Sequence, residues 1–214
     1  MDSGHQKLDF AMQVLLTHAL KSEAGFIKQR YPLAETVTRE NGQELIQLDS
    51  NLHLLKTGIG LKLSQAAMHQ LENPDKFDLI VHFGVSGSLS DDLSILQVVR
   101  GTIFSRPDFP NLNIPSPRIF EYLPISSVSF FSSLVAITDE KTRESARVGG
   151  AEAVDMESYS IAQFCQERDI PLLAIRCISD RAGSSTSEDF KKHYGEAAQI
   201  LQKFLLNNIL NKCH

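Results

Sequence analysis

The sequence predicts an α/β fold built on a largely parallel sheet. Four short apolar runs are continuous rather than alternating, which is the pattern of strands covered on both faces. Stretches with helical spacing lie between them, and strands that alternate with helices favour parallel pairing. The chain has 214 residues, 42% hydrophobic and 22% charged, an ordinary balance for one globular domain, expected here over 1–214.

Taken in order, the first strand is expected at MQVLLTHA (12–19). The glycine turn TGIG (57–60) leads into a helix at LSQAAMHQL (63–71), and its amides are candidates for holding an anion. A second strand at FDLIVHFG (77–84) runs into the turn HFGVSGSLS (82–90), where Gly84, Gly87 and Ser88 let a ligand approach the backbone. Between 107 and 124 stand five of the eight prolines: Pro107, Pro110, Pro115, Pro117 and Pro124. That stretch is expected to be a long loop, a common form of lid or binding segment.

A third strand is expected at SLVAIT (133–138). MESYSIAQFCQER (156–168) reads as a helix, with Ile161, Phe164 and Cys165 on one face. A fourth strand follows at PLLAIRCIS (171–179). The last helix, 187–210, is announced by SSTSED, with Ser185 as its cap and Glu188 three residues on. Ala198, Ile200, Leu201, Phe204 and Leu205 are among its apolar positions.

Charge and composition exclude several classes. Acidic residues outnumber basic ones 26 to 21 without a Lys/Arg run, so a nucleic-acid footprint is not expected. Cys165, Cys177 and Cys213 are odd in number and lack C-x-x-C spacing, which argues against a disulfide framework and for a reducing compartment. No leader-like segment and no apolar run of about 18 residues is present, so a cytoplasmic protein without a membrane span is expected. No His/Cys/Asp cluster has ligand spacing, so neither metal nor organic cofactor is implied. His18, His53, His69 and His82 are scattered and read as structural.

Two motifs carry chemistry. AVDMESYSIA (153–162) places Asp155 and Glu157 around Met156 in the first turn of the expected helix. Such acids can simply complement the macrodipole. Alternatively, one carboxylate accepts both hydrogen bonds from a vicinal diol while Met156 offers a soft apolar surface. In IRCISD (175–180), Asp180 ends an apolar strand before a polar loop. It is either a turn aspartate or a general acid at the carboxyl end of the sheet, where α/β folds gather ligands.

Together these segments resemble the nucleoside phosphorylase and nucleosidase superfamily, especially the methylthioadenosine/S-adenosylhomocysteine nucleosidases. AVDMESYSIA is similar to that family's V-E-M-E-x-x-x-x-A helix, and AIRCISDRAG to its V-R-x-I-S-D strand end. HFGVSGSL is similar to its N-x-G-x-A-G-x-L turn, and KTGIG to its S-G-I-G turn. Order and spacing agree from about residue 12 onward. The resemblance implies a three-layer α/β/α sandwich with a mixed, curved central sheet, and a homodimer.

It further implies that Glu157 holds the ribose hydroxyls, Met156 packs on the sugar and Asp180 protonates the leaving purine. Asp155, Val85, Ser86, Gly87 and Ser179 complete the implied substrate contacts. A purine anion leaves poorly and the ribosyl fragment becomes oxocarbenium-like, so protonating the base and placing negative charge near the ribose suit the chemistry.

Two departures stand out. The family's A-M-E-E-E run, whose middle acid activates water, is replaced by ALKSEA (19–24). Ser22 falls at that position, leaving Glu23 as the candidate base. The family's base-stacking aromatic, expected near AITDEKTRES (136–145), is missing, with Lys141 the nearest counterpart. The implied activity is hydrolysis of a purine-type nucleoside. Phosphorolysis at the same site, with Arg100, Arg106 or Arg143 near the anion, and a non-catalytic nucleoside binder are the alternatives.

Overall fold

The structure is a computed structural model that describes residues 12–38 and 44–212. Its ten strands form one sheet. They are β1 (Val14–His18), β2 (Glu35–Thr38), β3 (Glu44–Asp49), β4 (Leu52–Lys56), β5 (Leu79–Ser88), β6 (Val98–Ser105), β7 (Leu112–Asn113), β8 (Ser126–Ser132), β9 (Ala153–Asp155) and β10 (Leu172–Asp180). The helices are α1 (Gly25–Arg30), α2 (Leu61–His69), α3 (Glu140–Val148), α4 (Ser158–Glu167) and α5 (Thr186–Asn208).

The sheet is mixed and strongly curved. It runs β10-β6-β8-β9-β5-β1-β4-β3-β2, and β10 also pairs with β5, closing the first five strands on themselves. The β1–β4, β1–β5, β5–β10, β6–β8 and β8–β9 pairs are parallel. The β2–β3–β4 meander and the β5–β9, β6–β7 and β6–β10 pairs are antiparallel. Parallel pairing therefore does not dominate as the apolar runs suggested.

The three layers follow from two apolar clusters, one on each face. One gathers Leu61 and Met68 of α2 with Tyr159, Ile161 and Phe164 of α4. The other gathers Ile27 of α1 with Ala197, Leu201 and Leu205 of α5. β1, β5 and β10 separate them and are buried along their whole length except for the half-buried Val85. Their continuous apolar runs were the correct signal.

Several expected elements differ. SLVAIT (133–138) is not a strand: the strand is the preceding SSVSFFS of β8, and Leu134 and Val135 are 63% and 68% exposed. The turn expected after 84 is instead strand, since β5 continues through Ser88. Asp155 belongs to β9 and Glu157 sits at the cap position of α4, so neither lies in the helix's first turn. Ser185 precedes α5, but its hydroxyl donates to Asp189 Oδ2 and leaves the helix amides alone.

The proline stretch 107–124 is irregular apart from the two-residue β7 and a short 3-10 turn, Arg118–Phe120. Phe120 and Leu123 pin it to the core. Cys165 and Cys177 are buried and free, whereas Cys213 lies outside the described residues. Among the described residues, no helix is long and apolar enough to cross a membrane.

Candidate active site

The carboxyl ends of β5 and β10, with the segments after β1, β8 and β9, enclose a cavity of about 320 Å³. Its lining includes Glu23, Val85, Ser86, Gly87, Asp155, Met156, Glu157, Ser179 and Asp180, whereas Gly84 and Ser88 are not part of it. Ser22 does not line it either. It faces out from the 3-10 turn Lys21–Ala24 and its hydroxyl hydrogen-bonds the Tyr194 hydroxyl of α5. The next residue, Glu23, turns inward and is buried.

Each of the three inward acids is held by protein donors. Glu23 Oε2 accepts from the amides of Ala19 (3.1 Å) and Leu20 (2.8 Å), and Oε1 from that of Val85 (3.1 Å). Glu157 Oε1 accepts from the Gly60 amide at 2.7 Å. The TGIG amide thus binds the protein's own carboxylate. Asp180 Oδ2 accepts from Ser179 Oγ at 2.8 Å and Oδ1 from the Ala182 amide at 2.9 Å.

Burial shifts all three in the same direction. It raises Glu23 against the opposing pull of its amide donors and the Arg176 charge. Burial and the neighbouring Asp155 charge push Glu157 up to about 7. Asp180 is raised by burial, against its Ser179 and Ala182 bonds. Acids poised to hold a proton closer to neutrality are what proton transfer at a site requires.

Asp155 lines the cavity but is spent differently. Oδ1 accepts from Ser132 Oγ (2.8 Å) and from the amides of Glu157 (3.2 Å) and Ser158 (3.1 Å). Oδ2 accepts from Ser158 Oγ and, at 3.1 and 2.9 Å, from Nε and Nη2 of the buried Arg176. Asp155 thus serves the start of α4 through its side chain, which takes up the amides of Glu157 and Ser158.

Backbone at two positions makes room for the acids. A Cβ added at Gly84 would stand 2.9 Å from Glu23 Oε1, and one at Gly87 2.7 Å from Asp180 Oδ1. Both contacts are shorter than a side chain tolerates, so β5 has hydrogen atoms where the carboxylates sit.

Sequence reasoning missed Phe190, which lines the cavity from α5 and stacks on Tyr194 at 4.7 Å. The i, i+4 spacing of these two aromatics was the available signal. Lys141 is exposed on α3 and does not reach the cavity. The proline stretch does not line it either. Arg100 bonds Ser127 Oγ and Phe120 O, Arg106 stacks 3.9 Å over Phe109, and Arg143 pairs with Asp91 at 3.1 Å. None of the three lines the cavity, and among the described residues its lining contains no Lys or Arg.

His18 and His82 are buried behind the site. Burial depresses His18 to about 4 and His82 well below the usual range, so both are neutral spacers. Among the described residues no group of three or more His, Cys, Asp or Glu is placed to hold a metal ion.

Residues 124–210 match the model of the phosphorylase superfamily. A 5′-methylthioadenosine/S-adenosylhomocysteine nucleosidase of Anoxybacillus flavithermus is 25% identical over 94% of this chain and 100% of its own. The same-named Helicobacter pylori enzyme, solved with butyl-thio-DADMe-Immucillin-A, superposes with a TM-score of 0.83 at 19% identity, covering 94% of this chain and 99% of that one. The futalosine hydrolase of Helicobacter pylori superposes equally well, with a TM-score of 0.83 at 19% identity over 94% and 98% of the two chains. The C-terminal segment is thus similar to the phosphorylase superfamily, and the mixed, curved sheet is the fold of these solved nucleosidases.

Proposed function

We propose that the chain, acting as one domain, is a nucleosidase that hydrolyses the N-glycosidic bond of a purine-type nucleoside of the methylthioadenosine/S-adenosylhomocysteine kind. The observation that carries this reading is the convergence of three buried carboxylates on a cavity that no cation lines among the described residues. Glu157 accepts the ribose hydroxyls and faces the positive charge that develops on the sugar. Met156 packs on the ribose. Val85, Ser86, Gly87 and Ser179 line the wall, and Asp155 orients the Met156–Glu157 segment.

Protonated Asp180 gives its proton to the departing base as the C1′–N bond breaks. Ionised Glu23 takes a proton from the water whose oxygen bonds C1′. The products are free base and free sugar, and solvent returns the proton from Glu23 to Asp180. Phosphorolysis requires cations around the acceptor anion, and among the described residues none lines the cavity wall. A second reading, a larger nucleoside such as futalosine, is supported by the equal structural similarity to the futalosine hydrolase.

The test is to incubate the protein with a panel of purine nucleosides, with and without phosphate, and measure released base. Release in water alone is expected. Release only with phosphate would make it a phosphorylase, and binding without release a nucleoside binder.

The same reading includes a homodimer in a reducing, cytoplasmic compartment. Ile59 and Val135 line the cavity yet are 49% and 68% exposed, beside the exposed Leu63 and Leu134. The proline stretch adds exposed Phe109, Ile119 and Tyr122. Apolar surface of this kind marks an interface. Light scattering at micromolar concentration should give twice the chain mass, and a monomer would contradict the assignment.

A further inference from the structure

Ser86 is the one polar side chain of the cavity wall that nine-tenths burial leaves without a partner: it is 4% exposed and its hydroxyl makes no hydrogen bond in the described structure. Nearby serines are all engaged. Ser88 Oγ donates to Ser90 O, Ser132 Oγ to Asp155, and Ser179 Oγ reaches Asp180 Oδ2 and Ser86 O. A buried hydroxyl without a partner costs stability relative to a methyl group. In the N-x-G-x-A-G-x-L pattern this position is alanine, so the fold itself has no need of the oxygen.

The strand geometry says where that oxygen looks. Alternate residues of a strand share a face, so Ser86 stands on the face of β5 occupied by Gly84. A Cβ at Gly84 would lie 2.9 Å from Glu23 Oε1, so this face looks onto the Glu23 carboxylate. Two residues along a strand advance about 6.6 Å, and two hydrogen bonds joined at one water span about 5 Å. A Ser86 hydroxyl turned toward Gly84 brings the pair within reach of one bridging water. Among the described residues Glu23 Oε1 accepts only the Val85 amide, and a carboxylate oxygen has a second acceptor site.

We propose that Ser86 Oγ and Glu23 Oε1 together hold the attacking water, an inference that rests on the nucleosidase reading. The water donates one hydrogen to each, which leaves a lone pair free for C1′. Its oxygen bonds C1′, the C1′–N bond breaks, the hydrogen bound to Glu23 passes to that carboxylate, and the base departs with the Asp180 proton. Ser86 keeps its own hydrogen throughout. Methanol has a single hydroxyl hydrogen and cannot satisfy both acceptors, so the pair also selects water over alcohols.

The experiment compares wild type with Ser86→Ala on methylthioadenosine, with methanol added to the buffer. Expected are a roughly tenfold fall in kcat, the scale of one hydrogen bond, with KM unchanged. The ratio of methyl riboside to free sugar should rise, and the melting temperature should not fall. An unchanged kcat and product ratio would overturn the proposal while wild-type cleavage kept the nucleosidase reading intact. A raised KM at unchanged kcat would assign Ser86 to substrate binding instead, and a lower melting temperature would assign it to the fold. Wild type that releases no base would sink both.

Discussion

The layer beneath the cavity and the cavity wall are built from the same residue types and use them in opposite ways. Beneath, Asp155, Arg176, Ser132 and Ser158 bond one another, and Asp155 accepts from six donors including two of the guanidinium. In the wall, Glu157 has one amide donor, Asp180 two donors and Glu23 three, none of them a cation. Asp155 and Glu157 are two residues apart and equally buried. What separates them is the counter-charge: an acid buried on a guanidinium is architecture, and an acid buried against neutral amides keeps acceptor capacity and a raised proton affinity for a ligand.

The largest effect tests the architectural side. Arg176→Met leaves Asp155 buried without its cation, and breaking a buried pair from one side costs about 3–5 kcal/mol. Chemical denaturation should show that loss; a variant as stable as wild type would erase the distinction between the two layers. Next comes the wall. Asp180→Asn keeps shape but has no acidic proton, so base release should fall about 10²- to 10⁴-fold with nucleoside binding by calorimetry largely kept. Normal cleavage by this variant would contradict the mechanism.

Glu157→Gln sharpens the comparison because activity and stability should move apart. Turnover should fall about 10²-fold, the scale of losing a charge-stabilising group. Glu157 titrates at about 7 in the folded state, above its ordinary 4.5. The folded chain therefore binds a proton that the unfolded chain releases between those values, and stability falls as pH rises through that window. The loss above pH 7 is on the order of 3 kcal/mol. The amide does not titrate, so the variant should match wild type near pH 4.5 and melt higher at pH 8. Melting curves across that range that stay parallel would show that Glu157 is not strained by burial.

The central strands were legible because β1, β5 and β10 are apolar on both faces. The outer strands were not. β2 (ETVT), β3 (ELIQLD) and β6 (VVRGTIFS) mix charged and apolar residues, as partly exposed strands do. SLVAIT was misread because apolarity alone cannot separate a covered strand from a segment lining a cavity mouth. β8 was passed over because its buried Ser132 serves Asp155 rather than the apolar core.

Within the site, Glu157 and Asp180 were readable from motif and strand end. Ser22 and Glu23 were separable only by which one the 3-10 turn points inward, a property of backbone path. Arg176 showed in the sequence as the arginine of the V-R-x-I-S-D strand end, but its pairing with Asp155, 21 residues away, did not.

Gly84 and Gly87 extend the site beyond its functional groups. A single methyl at either position would occupy the volume of a carboxylate oxygen, displacing Glu23 or Asp180 without altering any charge, donor or acceptor. An inventory of chemically active side chains would score such a variant as intact. Two hydrogens on β5 are therefore as much a part of the apparatus as the acids they face, and the strand's bare backbone sets where each proton can be exchanged.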